Sequence, residues 1–193
     1  MITSLLSRFP LWVWWISAIA LVAVSQFAQH ELDALYKLSQ FPVSFFEGQT
    51  SFDAAKVKSW YAILAERGTF GTYVWVQVFD YGYMLTVFAA FFTLMAAVYR
   101  SLPAKSWARG VAKAMIVIAP MAPLFDALEN LVSLVMLADP LSFADWLVYP
   151  YSTFACLKFA IYGLTYLWAI AGVVIALVSA IIAVFRPRAQ HVA

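Results

Sequence analysis

The chain has 193 residues, of which 65% are hydrophobic and 11% are charged. Soluble globular domains carry about 25% charged residues, so this composition excludes an ordinary soluble domain. The formal net charge of +2 does not indicate nucleic-acid binding, because the basic residues flank apolar segments and form no basic domain of their own. The single cysteine, Cys156, excludes an intrachain disulfide framework and a cysteine-based zinc site.

Four long apolar segments follow one another along the chain. Each meets or approaches the roughly 20 residues that a helix needs to cross a hydrocarbon core about 30 Å thick. We therefore predict an all-α fold, an integral membrane four-helix bundle that forms a single transmembrane domain over residues 1–193. The predicted spans are about 10–28, 72–98, 111–137 and 151–185, and an outer loop covers 29–71.

The first apolar segment is interpreted as a retained span and not as a secretory signal. Trp12, Trp14 and Trp15 crowd its beginning, as aromatic anchors do at a membrane interface. The apolar run is also long for the core of a signal peptide.

The second half of the outer loop has the pattern of an amphipathic helix. Val57, Trp60, Tyr61 and Leu64 recur at helical spacing and form one apolar face. Thr50 or Ser51 is the predicted N-cap, Asp53 suits the first turn, and Gly68 is the predicted stop. Two interpretations remain open for this helix, a connector packed on the bundle and a lid over a membrane cavity.

The third span contains two prolines, Pro120 and Pro123, one to two turns before Asp126. A proline removes a backbone hydrogen bond of the helix, so a kink is predicted beside this acid.

The distribution of Lys and Arg predicts the orientation in the membrane. The connection between the second and third spans contains Arg100, Lys105, Arg109 and Lys113, whereas the last loop contains no Lys or Arg. Arg8 precedes the first span, and Arg186 and Arg188 follow the last one. Because basic residues mark the cytoplasmic side, we predict a multi-pass membrane protein with both termini in the cytoplasm.

Four ionisable residues lie inside predicted spans: Asp80, Asp126, Glu129 and Lys158. Such residues are costly at bilayer depth, about 3 kcal/mol each, and usually mark a functional site. At 1.5 Å per residue, all four lie roughly 10–16 Å below the outer ends of three different spans. The predicted ligand-binding residues are Gln77, Asp80, Tyr83, Asp126, Glu129, Asn130, Lys158 and Tyr162.

Three acids face one lysine in this predicted cluster. We expect at least one carboxyl to be protonated at neutral pH, because burial and nearby like charge both disfavour full ionisation. The pair Asp126 and Glu129, one helical turn apart, is the expected place for a shared proton. The alternative interpretation is structural, with Lys158 pairing with Asp80 or Glu129 to hold helices together.

The sequence predicts neither a cofactor nor a metal site. Neither histidine, His30 or His191, lies inside a span, which argues against a bis-histidine haem. Lys158 among the acids argues against a carboxylate metal site. No catalytic motif is present, so the sequence does not decide whether the protein is an enzyme.

The string Phe125-Asp126-Ala127-Leu128-Glu129-Asn130 resembles an Asp-x-x-Glu-Asn motif of uncharacterised bacterial four-span membrane proteins. The placement of Tyr73 and Asp80 in the second span is similar to theirs. The resemblance implies a location in the bacterial plasma (inner) membrane, and it implies no activity. The overall plan faintly resembles the emopamil-binding/sigma-2-receptor superfamily. The chain departs from that group because it has no membrane histidine and carries Lys158.

The leading hypothesis is that the protein binds, and in its stronger form converts, a small amphipathic or lipid-like molecule in an outer-half intramembrane polar pocket. Lys158 would meet an anionic or carbonyl group, and a protonated carboxyl would serve as a general acid. One alternative is a structural subunit or assembly factor of a membrane complex. The other is proton- or ion-coupled transport, which four spans would support best in an oligomer. The expected partners are the lipid bilayer, an amphipathic ligand and either a second copy or a membrane-complex subunit, and no nucleic acid.

Overall fold

The computed structural model describes residues 6–185, which form helices and connections without a β-strand. The predicted all-α class is therefore confirmed. Arg186, Arg188 and His191 of the predicted tail lie outside the described residues. The helices are α1 (Leu11–Ser39), α2 (Phe45–Gln49), α3 (Ala54–Glu66), α4 (Phe70–Ser101), α5 (Trp107–Ile118), α6 (Met121–Ala138) and α7 (Val148–Phe185), and a 3₁₀ turn over Asp145–Leu147 precedes α7.

Four helical stretches are long and apolar enough to cross a membrane: Leu11–Ser39, Phe70–Ser101, Trp107–Ala138 and Asp145–Ile182. Their most apolar windows have a mean hydropathy of 1.7 to 2.3. By length and composition they form the predicted four-helix bundle of a multi-pass membrane protein.

The first helix is longer than predicted, because α1 continues to Ser39 and does not end near residue 28. The residues after 28 are more polar, but they include neither glycine nor proline, so nothing in the backbone stops the helix there. Leu32 is buried in this extension. The helix ends where Gln40 adopts a left-handed conformation with φ of 54°.

The third span is broken at Pro120, which separates α5 from α6. Pro120 has no N–H, so it cannot donate the backbone hydrogen bond that would continue α5. Pro123 lies in the first turn of α6, where the backbone N–H groups have no acceptor within the helix. The kink predicted beside Asp126 therefore takes the form of a break between two helices.

The predicted amphipathic helix is α3, and its apolar face of Val57, Trp60, Tyr61 and Leu64 is buried as expected. The predicted N-cap was wrong: the Asp53 carboxylate caps α3 by accepting a hydrogen bond from Lys56 N at 3.1 Å. Gly68, with φ of 69°, follows the end of α3, as predicted.

The apolar face of α3 packs at one end of the bundle against Tyr73, Met136, Leu137 and Phe143. We call this end, which carries α2 and α3, the α3 end. At the opposite end a second apolar cluster surrounds Met95 and joins α4, α5 and α6.

Helix α4 is central, since it contacts α1, α5, α6 and α7. Between the two apolar clusters it carries Gln77 and Asp80, both buried. A layer of buried polar side chains is thus enclosed by apolar packing on both sides, and this layer contains the candidate site.

Candidate functional site

The polar layer consists of five side chains from three helices. Asp80 comes from α4, whereas Asp126, Glu129 and Asn130 come from consecutive turns of α6, and Lys158 comes from α7. The exposed fraction is 4% or less for each of the five residues. The convergence of the charges predicted from their spacing is therefore observed.

Lys158 is held by two carboxylates of α6. Its Nζ donates to Asp126 Oδ1 at 2.6 Å and also to Glu129 Oε2. The two acids are three residues apart, so they project from one face of α6 toward α7. Of the two structural partners predicted for Lys158, Glu129 is one, whereas Asp80 forms no ion pair with it.

Asp80 is bound instead by an amide. Its Oδ2 accepts a hydrogen bond from Asn130 Nδ2 at 2.9 Å, and the same nitrogen lies 3.3 Å from the backbone oxygen of Gln77. The other carboxylate oxygen of Asp80, Oδ1, is buried and has no hydrogen-bond partner. Three neighbouring atoms, Gln77 Oε1, Glu129 Oε1 and Asn130 Oδ1, are also buried without a partner, but of these four residues only Asp80 lines the cavity.

Tyrosine hydroxyls lie beside the acids. The Tyr162 hydroxyl donates to Asp126 Oδ2 at 3.4 Å, which is a long hydrogen bond. The buried Tyr151 lies near Glu129 on the side toward the α3 end, but Glu129 Oε1 accepts no hydrogen bond. Neutral donors of this kind stabilise buried carboxylates without adding charge.

A cavity of about 270 Å³ borders the polar layer. It is lined by Gln29 and Leu32 of α1, Phe45 and Gln49 of α2, Asp80 and Tyr83 of α4, Asp126 of α6, and Lys158, Phe159, Tyr162 and Tyr166 of α7. Five of the eight predicted ligand-binding residues therefore line the cavity. The remaining three, Gln77, Glu129 and Asn130, are buried and do not line the cavity.

Sequence reasoning missed the contribution of α1 and α2 to this cavity. Gln29 and Leu32 were assigned to the outer loop, because the first span was predicted to end near residue 28. Their spacing of three residues, which places two side chains on one helix face, was the available signal. Phe45 and Gln49 are four residues apart and also fit one helix face, but their helix has only five residues, which is too short to show a periodic pattern in the sequence.

The segment that covers the cavity is α2, not α3. Phe45 stacks on Tyr36 with ring centroids 3.6 Å apart, and the Phe46 ring lies 5.2 Å from that of Phe159. No residue of α3 lines the cavity. The connector interpretation therefore fits α3, whose apolar face is packed on the bundle.

Among residues 6–185 there is no group of three or more His, Cys, Asp or Glu side chains placed to hold a metal ion. The acids of the polar layer are instead bound to an ammonium and an amide. The arrangement offers a ligand one free carboxylate oxygen, tyrosine hydroxyls and aromatic walls.

Comparison of the chain with protein-family models, with curated proteins and with solved structures gives no match.

Proposed function

We propose that this protein binds, and in a stronger form of the proposal converts, a small amphipathic or lipid-like molecule in the cavity beside the polar layer. One observation carries the proposal: the unpartnered Oδ1 of Asp80 belongs to a buried side chain that lines the cavity. An unpaired buried polar atom costs about 1–3 kcal/mol, and a bound polar group would recover that free energy.

The remaining lining supports an amphipathic ligand. The cavity wall around Asp80 and Asp126 carries four aromatic side chains: Tyr83, Phe159, Tyr162 and Tyr166. Ligand sites commonly combine apolar walls with a few polar groups that orient the ligand. At about 270 Å³ the cavity suits a polar group and a short part of an apolar body.

We further propose that the protein lies in a bacterial plasma membrane with both termini in the cytoplasm. The support is the basic connection between α4 and α5, which contains Arg100, Lys105, Arg109 and Lys113. The α3 end and the cavity then lie in the outer half of the membrane.

Native mass spectrometry of the gently extracted protein, followed by lipidomics of what stays bound, tests the proposed function. Gln29→Trp would fill the cavity from α1, and Gln26→Trp is the matched control at an exposed position of the same helix. We expect a specific amphiphile to be retained by the wild type and Gln26→Trp and to be lost from Gln29→Trp.

Retention of only bulk phospholipid, identical in all three proteins, would overturn the proposal. Tight co-purification of another membrane protein would then favour the structural-subunit alternative. Proton-driven flux in proteoliposomes would favour transport.

A further inference from the structure

Resting on the proposed function, we infer that the ligand donates a hydrogen bond to Asp80 from a hydroxyl or amine group, and that Lys158 is a positioning residue. This assigns different roles to two side chains that both line the cavity.

The first step concerns Lys158. Its ammonium already binds Asp126 and Glu129, and these two carboxylates outnumber its single positive charge. The charge that would attract an anionic ligand is therefore already paired within the polar layer. An anion in the cavity would also face Asp80, and like charges repel strongly where water is excluded.

The second step concerns the orientation of Asp80. Asn130 donates to Oδ2, and the amide nitrogen can only be a donor, so Oδ2 is an acceptor. This bond leaves the second oxygen, Oδ1, buried and without a hydrogen-bond partner on a side chain that lines the cavity. A carboxylate oxygen accepts hydrogen bonds, so the complementary ligand group is a donor.

The third step concerns the surroundings of the donor. Tyr83 and Tyr162 also line the cavity, and their rings and hydroxyls tolerate either a neutral hydroxyl or an ammonium group. The shared chemistry is a hydrogen-bond donor on an apolar body. Direct comparison of an alcohol with an amine shows which of the two donors the cavity binds.

Asp80→Asn is a sharp test because the Asn130 bond restricts how the new amide can lie. With the oxygen of the new amide in the place of Oδ2, Asn130 Nδ2 keeps its acceptor and the new NH₂ group replaces Oδ1. The substitution thus keeps the internal bond and converts the free acceptor into a donor. Asp139→Asn, at an exposed residue outside the cavity, is the matched control.

The experiment uses the full chain in phosphatidylcholine nanodiscs and three probes with one apolar tail: dodecylamine, dodecanol and dodecanoate. For each probe, the amount retained at equilibrium is measured and the amount retained by empty nanodiscs is subtracted. Gln29→Trp, in which the cavity is filled, gives the retention without binding in the cavity. We expect the wild type and Asp139→Asn to retain the amine, the alcohol or both, but not dodecanoate. Asp80→Asn should bind the retained probe at least about tenfold more weakly, as expected for loss of a hydrogen bond to a charged group.

Equal binding by Asp80→Asn and the wild type would overturn the inference, and so would tight binding of dodecanoate. The wild-type comparison of the three probes requires no variant, so the test stands even if Asp80→Asn fails to fold. Retention of none of the probes above the Gln29→Trp baseline would also overturn it. Failure of the proposed function itself is recognised separately, by the absence of any specific native amphiphile.

Discussion

The difference between a buried and an exposed ion pair is visible at two lysines of this chain. Lys158 lies between two carboxylates with both acids almost fully buried. Lys58 pairs with Asp145 at 2.6 Å, but the Asp145 side chain is 76% exposed. Removing one partner of a buried pair leaves an uncompensated charge, whereas an exposed pair contributes little because water screens it.

Lys158→Met is therefore expected to lower the stability of the folded protein by about 3–5 kcal/mol, and Lys58→Met by less than about 1 kcal/mol. Thermal unfolding in detergent, followed by circular dichroism, measures the difference. Adding Glu129→Gln to Lys158→Met should recover part of the loss, because one uncompensated carboxylate is removed. Similar melting temperatures for Lys158→Met and Lys58→Met would contradict this account.

At the scale of helices, α4 and α7 lie close together at Gly172. A Cβ atom built there would lie 2.7 Å from Val98 Cγ1, and Val98 is fully buried. Gly163 lies in the same helix, and a Cβ there would meet nothing within 4 Å. The two glycines thus differ in packing while sharing the backbone of one helix.

Gly172→Ala should destabilise the bundle by about 1–3 kcal/mol, because the added methyl group would force Val98 or the helices to shift. Gly163→Ala is the control and should not lower the melting temperature, since it adds a methyl group in open space. The two variants are compared by thermal unfolding in the same detergent. Equal melting temperatures for the two variants would contradict the effect of the close approach at Gly172.

At the scale of the whole molecule, the basic connection between α4 and α5 predicts the orientation. In a Cys156→Ser background, Glu47→Cys in α2 and Lys105→Cys in that connection provide exposed thiols on opposite ends of the bundle. We expect a membrane-impermeant maleimide to label Glu47→Cys in intact cells and to label Lys105→Cys only after permeabilisation. The reverse labelling pattern would place the α3 end in the cytoplasm.

The helices and the charged residues inside them could be predicted because each depends on local sequence. Hydropathy over about 20 residues identifies a span, and spacing of three or four residues identifies a helix face. The end of α1 was misplaced because a fall in hydropathy marks the edge of an apolar segment, whereas a helix continues until its backbone is interrupted. Gln40 ends α1 with a left-handed backbone conformation, which cannot be predicted from its residue type alone.

The amino-acid sequence by itself determined the all-α class, the four apolar helices, a kink near Pro120 and Pro123 and the presence of charges at similar depth. Only the tertiary structure decided that Lys158 binds Asp126 and Glu129, that Asp80 binds Asn130, and that α1 and α2 complete the cavity. The physical reason is that these contacts depend on the rotation and offset of whole helices. Packing along their full length sets that geometry, and no local pattern of residues encodes it.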